Sequence, residues 1–166
     1  MKTVYFIRHA KSSWKDFSLR DFDRPLNKRG FRDAPFMAEK LLLSGAKPDA
    51  LISSPANRAL TTAGFFARTF GFESAEIIQE ASIYEAFPDT ILHIIRTLPD
   101  KLNTVFLFGH NPGFTMVANG FGGDHISNIP TCGIVRVEAA TDHWAEFSAQ
   151  TGKITHFFFP KKYLDQ

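Results

Sequence analysis

Over most of this chain, short unbroken apolar runs alternate with segments whose apolar positions recur every three to four residues. The runs Thr3-Val4-Tyr5-Phe6-Ile7, Asp49-Ala50-Leu51-Ile52-Ser53 and Asn103–Phe108 predict strands at about 2–8, 49–53 and 103–108. The first has the pattern of a strand covered on both faces, and the third is strongly apolar. Phe31, Ala34, Met37, Ala38, Leu41 and Leu42 mark a helix that Asn27 can cap and Gly45 can stop. Pro35 lacks the N–H that would bond to Phe31, so this helix is expected to kink there or to restart after an Asp33 cap. Further helices are predicted at about 56–70, with Pro55 in the first turn and Gly71 as the stop, between Pro88 and Pro99, and near 112–120. Ile77-Ile78 suggests a short edge strand. The last third changes character: Gly133–Glu138, His143–Ser148 and Lys153–Phe159 read as strands of an antiparallel extension. Phe157-Phe158-Phe159 is expected to be buried on both faces of its strand.

The pattern predicts an α/β fold, a three-layer αβα sandwich around a mixed, mainly parallel sheet. Its 166 residues suit a single domain spanning 1–166, with no internal repeat and no Pro/Gly/Ser-rich linker. The polar segment 11–26, with Trp14, Phe17, Phe22 and Pro25, reads as a loop long enough to suggest a function.

Composition narrows the picture. At 44% hydrophobic and 22% charged the chain is ordinary for a globular protein, and its 18 Phe residues read as core filling. The apolar runs are too short to span a bilayer and the N-terminus has no secretory core, so a cytoplasmic protein is expected, without membrane contact. The one cysteine, Cys132, excludes an intramolecular disulfide and a multi-cysteine metal cluster, and is expected to be a small buried apolar residue. His93, His125, His143 and His156 lack metal-ligand spacing. A net charge of +2 does not imply nucleic-acid binding. The charge is unevenly spread: residues 8–33 hold eight Lys/Arg against four Asp, whereas the rest of the chain is slightly acidic. That excess is either an anion-attracting rim or a solvated loop in which Asp16, Asp21 and Asp23 are local partners.

Candidate chemistry gathers at three strand ends. The first strand ends in Arg8-His9, the second leads through Ser53-Ser54-Pro55 to Arg58, and the third leads into Gly109-His110. Parallel strands bring such ends to one edge, where open α/β sheets bind ligands. Two Arg, two His and helix N-termini converging there suit a dianionic phosphate.

Arg8-His9-Ala10, Ser53-Ser54-Pro55-x-x-Arg58-Ala59-x-x-Thr62-Ala63 and Gly109-His110-Asn111 resemble, in order and spacing, the three motifs of the histidine phosphatase superfamily. This superfamily includes phosphoglycerate mutases and acid phosphatases. Finer features look like its SixA-type branch: Lys11-Ser12 after the first motif, Arg24-Pro25-Leu26-Asn27-x-Arg29-Gly30, Ile83-Tyr84-Glu85-Ala86 and Pro130-Thr131. The resemblance covers residues 3 to about 160.

It implies a phosphoglycerate mutase-like fold and a phosphatase working through a phosphohistidine on His9, without metal or other cofactor. Arg8 and Arg58 would hold the phosphoryl oxygens, and His110 would donate to them. Glu85 is the candidate acid for the leaving group, or else flanks the following helix with Tyr84. Lys11 and Ser12 either touch phosphate or face solvent. Asn111 either offers its amide to phosphate or caps a helix, and Thr131 either lines the pocket or starts a strand. The expected partner is a phosphohistidine-bearing protein; the alternative is a small phosphorylated metabolite. A reading from a different class is a catalytically weak module that binds phosphate or a phosphoprotein. No feature of the sequence sets an oligomeric state.

Overall fold

Every residue from Lys2 to Ile7 is buried, which makes β1 (Lys2–Arg8) a central strand. In the computed structural model, which describes residues 1–164, β1 lies between β4 (Thr104–Gly109), parallel to it, and β5 (Ile134–Ala139), antiparallel. With β2 (Ala50–Ser53), β3 (Ile78–Gln79) and β6 (Gly152–Phe158), these form one six-stranded sheet of order β3-β2-β4-β1-β5-β6. The parallel part and its antiparallel extension both follow the predicted division.

Alternation along the strands sorts the two helical layers. Tyr5, Ile7, Leu51, Phe106 and Phe108 face α1 (Lys28–Leu43) and α2 (Asn57–Phe70), whose buried stripes include Met37, Leu41, Phe66 and Ala67. The short α5 (Pro160–Leu164) joins this layer, with Tyr163 edge-on to Phe36. Val4, Phe6, Ile52, Val105 and Leu107 face α3 (Pro88–Arg96) and α4 (Gly113–Asn119) through Ile91, Ile95, Phe114 and Val117. Phe66 meets Phe106 and Phe108 edge-to-face at 6.3 and 5.2 Å, contacts worth about 0.5–1.5 kcal/mol each beyond their burial. No described helix is long and apolar enough to cross a membrane.

Several expectations change. Of the two outcomes expected at Pro35, the restart does not occur: α1 continues as one helix through it, with the buried stripe Ala34, Met37, Ala38 and Leu41 on both sides. Asp33 is no cap; its fully buried carboxylate accepts from Arg29 and Arg32. Asn27 does cap α1, accepting from the Gly30 amide at 2.9 Å. Pro55 precedes the first turn of α2 and Ala56 occupies the cap. His143–Ser148 is not a strand but contains a 3-10 turn, Trp144–Glu146; Trp144 and Phe147 are both buried three residues apart, a spacing that a strand cannot bury on one face. Phe157, Phe158 and Phe159 are only half-buried, since β6 is an edge strand. Phe17 and Phe87 are largely exposed, so the phenylalanines are not all core.

Candidate active site

Backbone pairing at the carboxyl edge of the sheet assembles the site. Arg8 is in register with Gly109, and the ladder continues one step further as the His9 amide donates to the Gly109 carbonyl at 3.1 Å. The Ser54 amide donates to Phe108 at 3.0 Å, which draws the end of β2 and the first turn of α2 to the same place. Gly109 has to be glycine here: a Cβ would lie 2.5 Å from Phe114 Cζ and 2.9 Å from Ile83 Cγ2. The site is thus a consequence of strand order. Arg8, His9, Arg58 and His110 come together, and all four are at least half-buried.

His9 is 7% exposed, and its Nδ1 lies 2.7 Å from the Ala10 carbonyl oxygen. A carbonyl only accepts, so Nδ1 carries the proton and Nε2 keeps its lone pair. Burial pushes the imidazole down to about 3; the bond to Ala10 opposes this, while His110, Arg58 and Arg8 lower it further. The ring is therefore neutral across the physiological range. The Ala10 amide is anchored by Thr62 Oγ1 at 3.0 Å, and that hydroxyl donates to the Arg58 carbonyl at 2.7 Å. This ties the turn carrying His9 to α2.

His110 is 8% exposed, and its ring centroid is 5.3 Å from that of His9. Burial, aided by Arg58, lowers it to about 4. Its Nε2 is 2.8 Å from Ser54 Oγ, whereas its Nδ1 is buried without a partner. Arg8 shows the same feature: Nη1 donates to the Ile129 carbonyl at 2.7 Å, but Nε is buried and unpaired. Burial, and secondarily the nearby Arg58, lower the Arg8 pKa. Buried polar atoms are rarely left without partners in native proteins. Two of them on neighbouring cationic or polar groups fit a site that takes an anion.

Arg58 is 7% exposed and is held by Asp21, whose main-chain oxygen accepts from Nη1 at 2.7 Å and whose Oδ2 accepts from Nη2 at 2.9 Å. A cavity of about 420 Å³ opens beside these groups. Arg58, His110, Asn111, Asp21, Tyr84 and Glu85 supply its polar lining, and Ala86, Phe87, Pro112 and Met116 its apolar lining. His9 is not on this wall but adjoins it through His110. Glu85 is exposed and has φ of 58°, a left-handed conformation uncommon for a non-glycine residue. The same segment packs so closely on α4 that any side chain at Gly113 would overlap the Ala86 carbonyl.

The other candidates lie around the same edge in differing surroundings, Asn111 on the cavity wall itself. Asn111 donates to Asn128 Oδ1 and the Ile129 carbonyl, each at 2.9 Å, and accepts from the Thr115 amide and hydroxyl. It secures the start of α4 and the loop whose Ile129 carbonyl orients Arg8. Ser12 Oγ accepts from Arg24 Nη2 at 2.6 Å, and Ser12 bridges to Leu26. Lys11 is half-buried; its carbonyl accepts from Asn27 at 2.9 Å and adjoins Gly30, where a Cβ would overlap it. Thr131 is 8% exposed in the turn before β5. Cys132 is fully buried, and burial raises its thiol far above the usual range. Among the described residues, no group of three or more His, Cys, Asp or Glu side chains is arranged to hold a metal ion. Sequence reasoning passed over Ser54, Thr62 and Asp21 as site residues; Ser54 and Thr62 stood inside a quoted motif, and Asp21 stood among the charges of the loop.

Comparison with known proteins agrees with this geometry. The family model of the histidine phosphatase superfamily (branch 1) matches residues 4–91, which hold Arg8, His9 and Arg58. An uncharacterised chloroplastic protein of Arabidopsis thaliana is 33% identical over 160 residues, covering 91% of this chain and 72% of that one. An Agrobacterium tumefaciens protein assigned as the phosphohistidine phosphatase SixA superposes with a TM-score of 0.80 at 28% identity, over 96% of this chain and 98% of its own. The protein histidine phosphatase SixA complexed with tungstate shares the fold, with a TM-score of 0.78 at 16% identity over 93% and 95% of the two chains. With strand ends, buried imidazoles and family match in agreement, the chain belongs to the histidine phosphatase superfamily, in its SixA-like branch, and is a phosphatase.

Proposed function

We propose that this chain is a single-domain, cytoplasmic, metal-independent phosphatase that turns over through a phosphohistidine on His9, with a phosphohistidine-bearing protein as substrate. The observation that carries the reading is the His9 tautomer: Nδ1 is committed to the Ala10 carbonyl at 2.7 Å, and the buried ring stays neutral. A neutral imidazole with Nε2 unprotonated is the form that can attack phosphorus.

In the first step Nε2 forms a bond to phosphorus while the bond to the leaving group breaks, and the electron pair departs with that group. Arg8 and Arg58 offset the charge on the equatorial oxygens, and His110 donates from its unpaired Nδ1. Water then attacks phosphorus, the P–Nε2 bond breaks, and His9 returns to its starting form. Glu85, on the cavity wall with Arg58 and His110, gives a proton to the leaving group and later takes one from water. A phosphoramidate needs less of that help than a phosphate ester, since its nitrogen is readily protonated. Ser12 and Asn111 act through the loops that their side chains hold.

The test is to incubate the protein with phosphoramidate, or with a phosphohistidine-bearing protein, and to trap acid-labile phosphate on rapid quenching. Wild type should label and His9→Ala should not. Labelling of His9→Ala, or turnover by that variant at the wild-type rate, would overturn the mechanism. Faster turnover of sugar or nucleotide phosphates than of the phosphohistidine protein would move the substrate to small metabolites. Binding without turnover would make the chain a binding module.

A further inference from the structure

Segment 11–26 is a long loop with no packing stripe of its own, yet one residue of it reaches the centre of the site. Asp21 accepts four hydrogen bonds from side chains in three parts of the chain. Its main-chain oxygen and Oδ2 accept from the two terminal nitrogens of Arg58. Its Oδ1 accepts from Arg24 Nη1 at 3.1 Å, and Oδ2 also accepts from the Tyr84 hydroxyl at 2.6 Å. The Tyr84 ring in turn stands edge-on to His110 at 5.5 Å.

We propose that Asp21 is a positioning residue for phosphoryl binding: it fixes the plane of the Arg58 guanidinium and, through Tyr84, the face of His110. The proposal rests on Arg58 serving as a phosphate ligand, as the function above requires. Two acceptors from one residue, on two different guanidinium nitrogens, set both the position and the rotation of the group. Only two of its five N–H donors are used, and among the described residues the guanidinium has no other hydrogen-bond partner. The remaining donors are left for other partners, and one edge of the plane can offer two of them to an oxyanion.

The anchor behind Asp21 is itself held by several contacts. Arg24 is buried, stacks over the Trp14 ring at 3.2 Å, and donates to Ser12 Oγ and the Ser13 carbonyl. Hydrogen bonds from Tyr84, Arg58 and Arg24 hold the Asp21 carboxyl down to about 2 against its partial burial, so it remains an acceptor at any working pH. It is thereby separated from Glu85, the candidate proton donor. The loop's charge excess and its length both find a use: it carries a preformed support for Arg58.

The experiment is a double-mutant cycle on wild type, Asp21→Asn, Arg58→Ala and the double variant. It reads orthovanadate affinity by calorimetry and kcat and KM on phosphoramidate. Misplacement of a catalytic cation by a fraction of an ångström predicts a loss in kcat/KM of about ten- to a hundredfold for Asp21→Asn, with weaker vanadate binding. In the Arg58→Ala background the same substitution should change vanadate affinity less than about twofold, the signature of acting through Arg58. An equal loss in both backgrounds, unchanged kinetics in Asp21→Asn, or tighter vanadate binding would overturn the proposal. Asp21→Ser serves as a second variant should the Asn protein fail to fold. The vanadate arm needs no turnover, so its outcome stands apart from failure of wild type to form a phosphoenzyme.

Discussion

Two imidazoles buried in their neutral form should make this protein lose stability on mild acidification. His9 is held at about 3 and His110 at about 4, against an ordinary value near 6.5 in the unfolded chain. Both folded values are depressed, so below pH 6.5 the unfolded state binds protons that the native state refuses. Stability is fully present above that pH and falls as pH drops towards the folded values. Between pH 7 and 5 each ring should cost roughly 2 kcal/mol, about 4 kcal/mol together, a large part of a typical domain's 5–15 kcal/mol. Asp21, held at about 2, loses its contribution only at lower pH, below the ordinary carboxylate range. His143, raised by its surface pairing with Asp100, works in the opposite sense, adding stability as pH falls. The assay is urea unfolding at pH 5, 6 and 7, followed by fluorescence of the fully buried Trp144. Replacing His9 and His110 by Gln, which does not titrate, should flatten most of the slope. Parallel pH dependence in wild type and the double variant would refute burial as the source of the neutral rings.

Gly109→Ala should destabilise by about 1–3 kcal/mol or more, because its Cβ meets Phe114 and Ile83 in the core; an unchanged urea midpoint would count against the packing argument. Glu85→Gln should slow phosphomonoester cleavage much more than phosphoramidate cleavage, and equal effects would remove its leaving-group role. Asn111→Ala deletes four hydrogen bonds that join α4 to the 128–129 loop, and should lower the unfolding free energy by about 1–2 kcal/mol in the same titration. No loss there would mean that the loop holds Arg8 without it.

Arg8, His9, Arg58 and His110 were legible from the chain because each sits at the end of a strongly patterned element. Strand periodicity and the parallel-edge rule together bring such ends to one place. The support around them was not legible. Asp21 and Arg58 are 37 residues apart, Tyr84 and Asp21 63, Thr62 and Ala10 52, and Ser54 and His110 56. None of these pairs follows from a period, since at least one member lies in a loop. Ser12 and Asn111 show the converse: both stand beside the motif histidines, yet their polar atoms hold the loops around the site.

The chain's own pattern determined the αβα layering, the antiparallel extension and the four groups at the sheet edge, because burial periodicity is a local property of the backbone. Tertiary structure decided the rest. Trp144 and Phe147 make a turn rather than a strand, and Pro35 stays inside an unbroken helix, because packing on the sheet outweighs local preference. The chemical state of the site belongs to the same class. A His9 proton fixed on Nδ1 and an Arg58 plane set by a loop carboxylate depend on desolvation and hydrogen bonds that exist only once distant segments close around them.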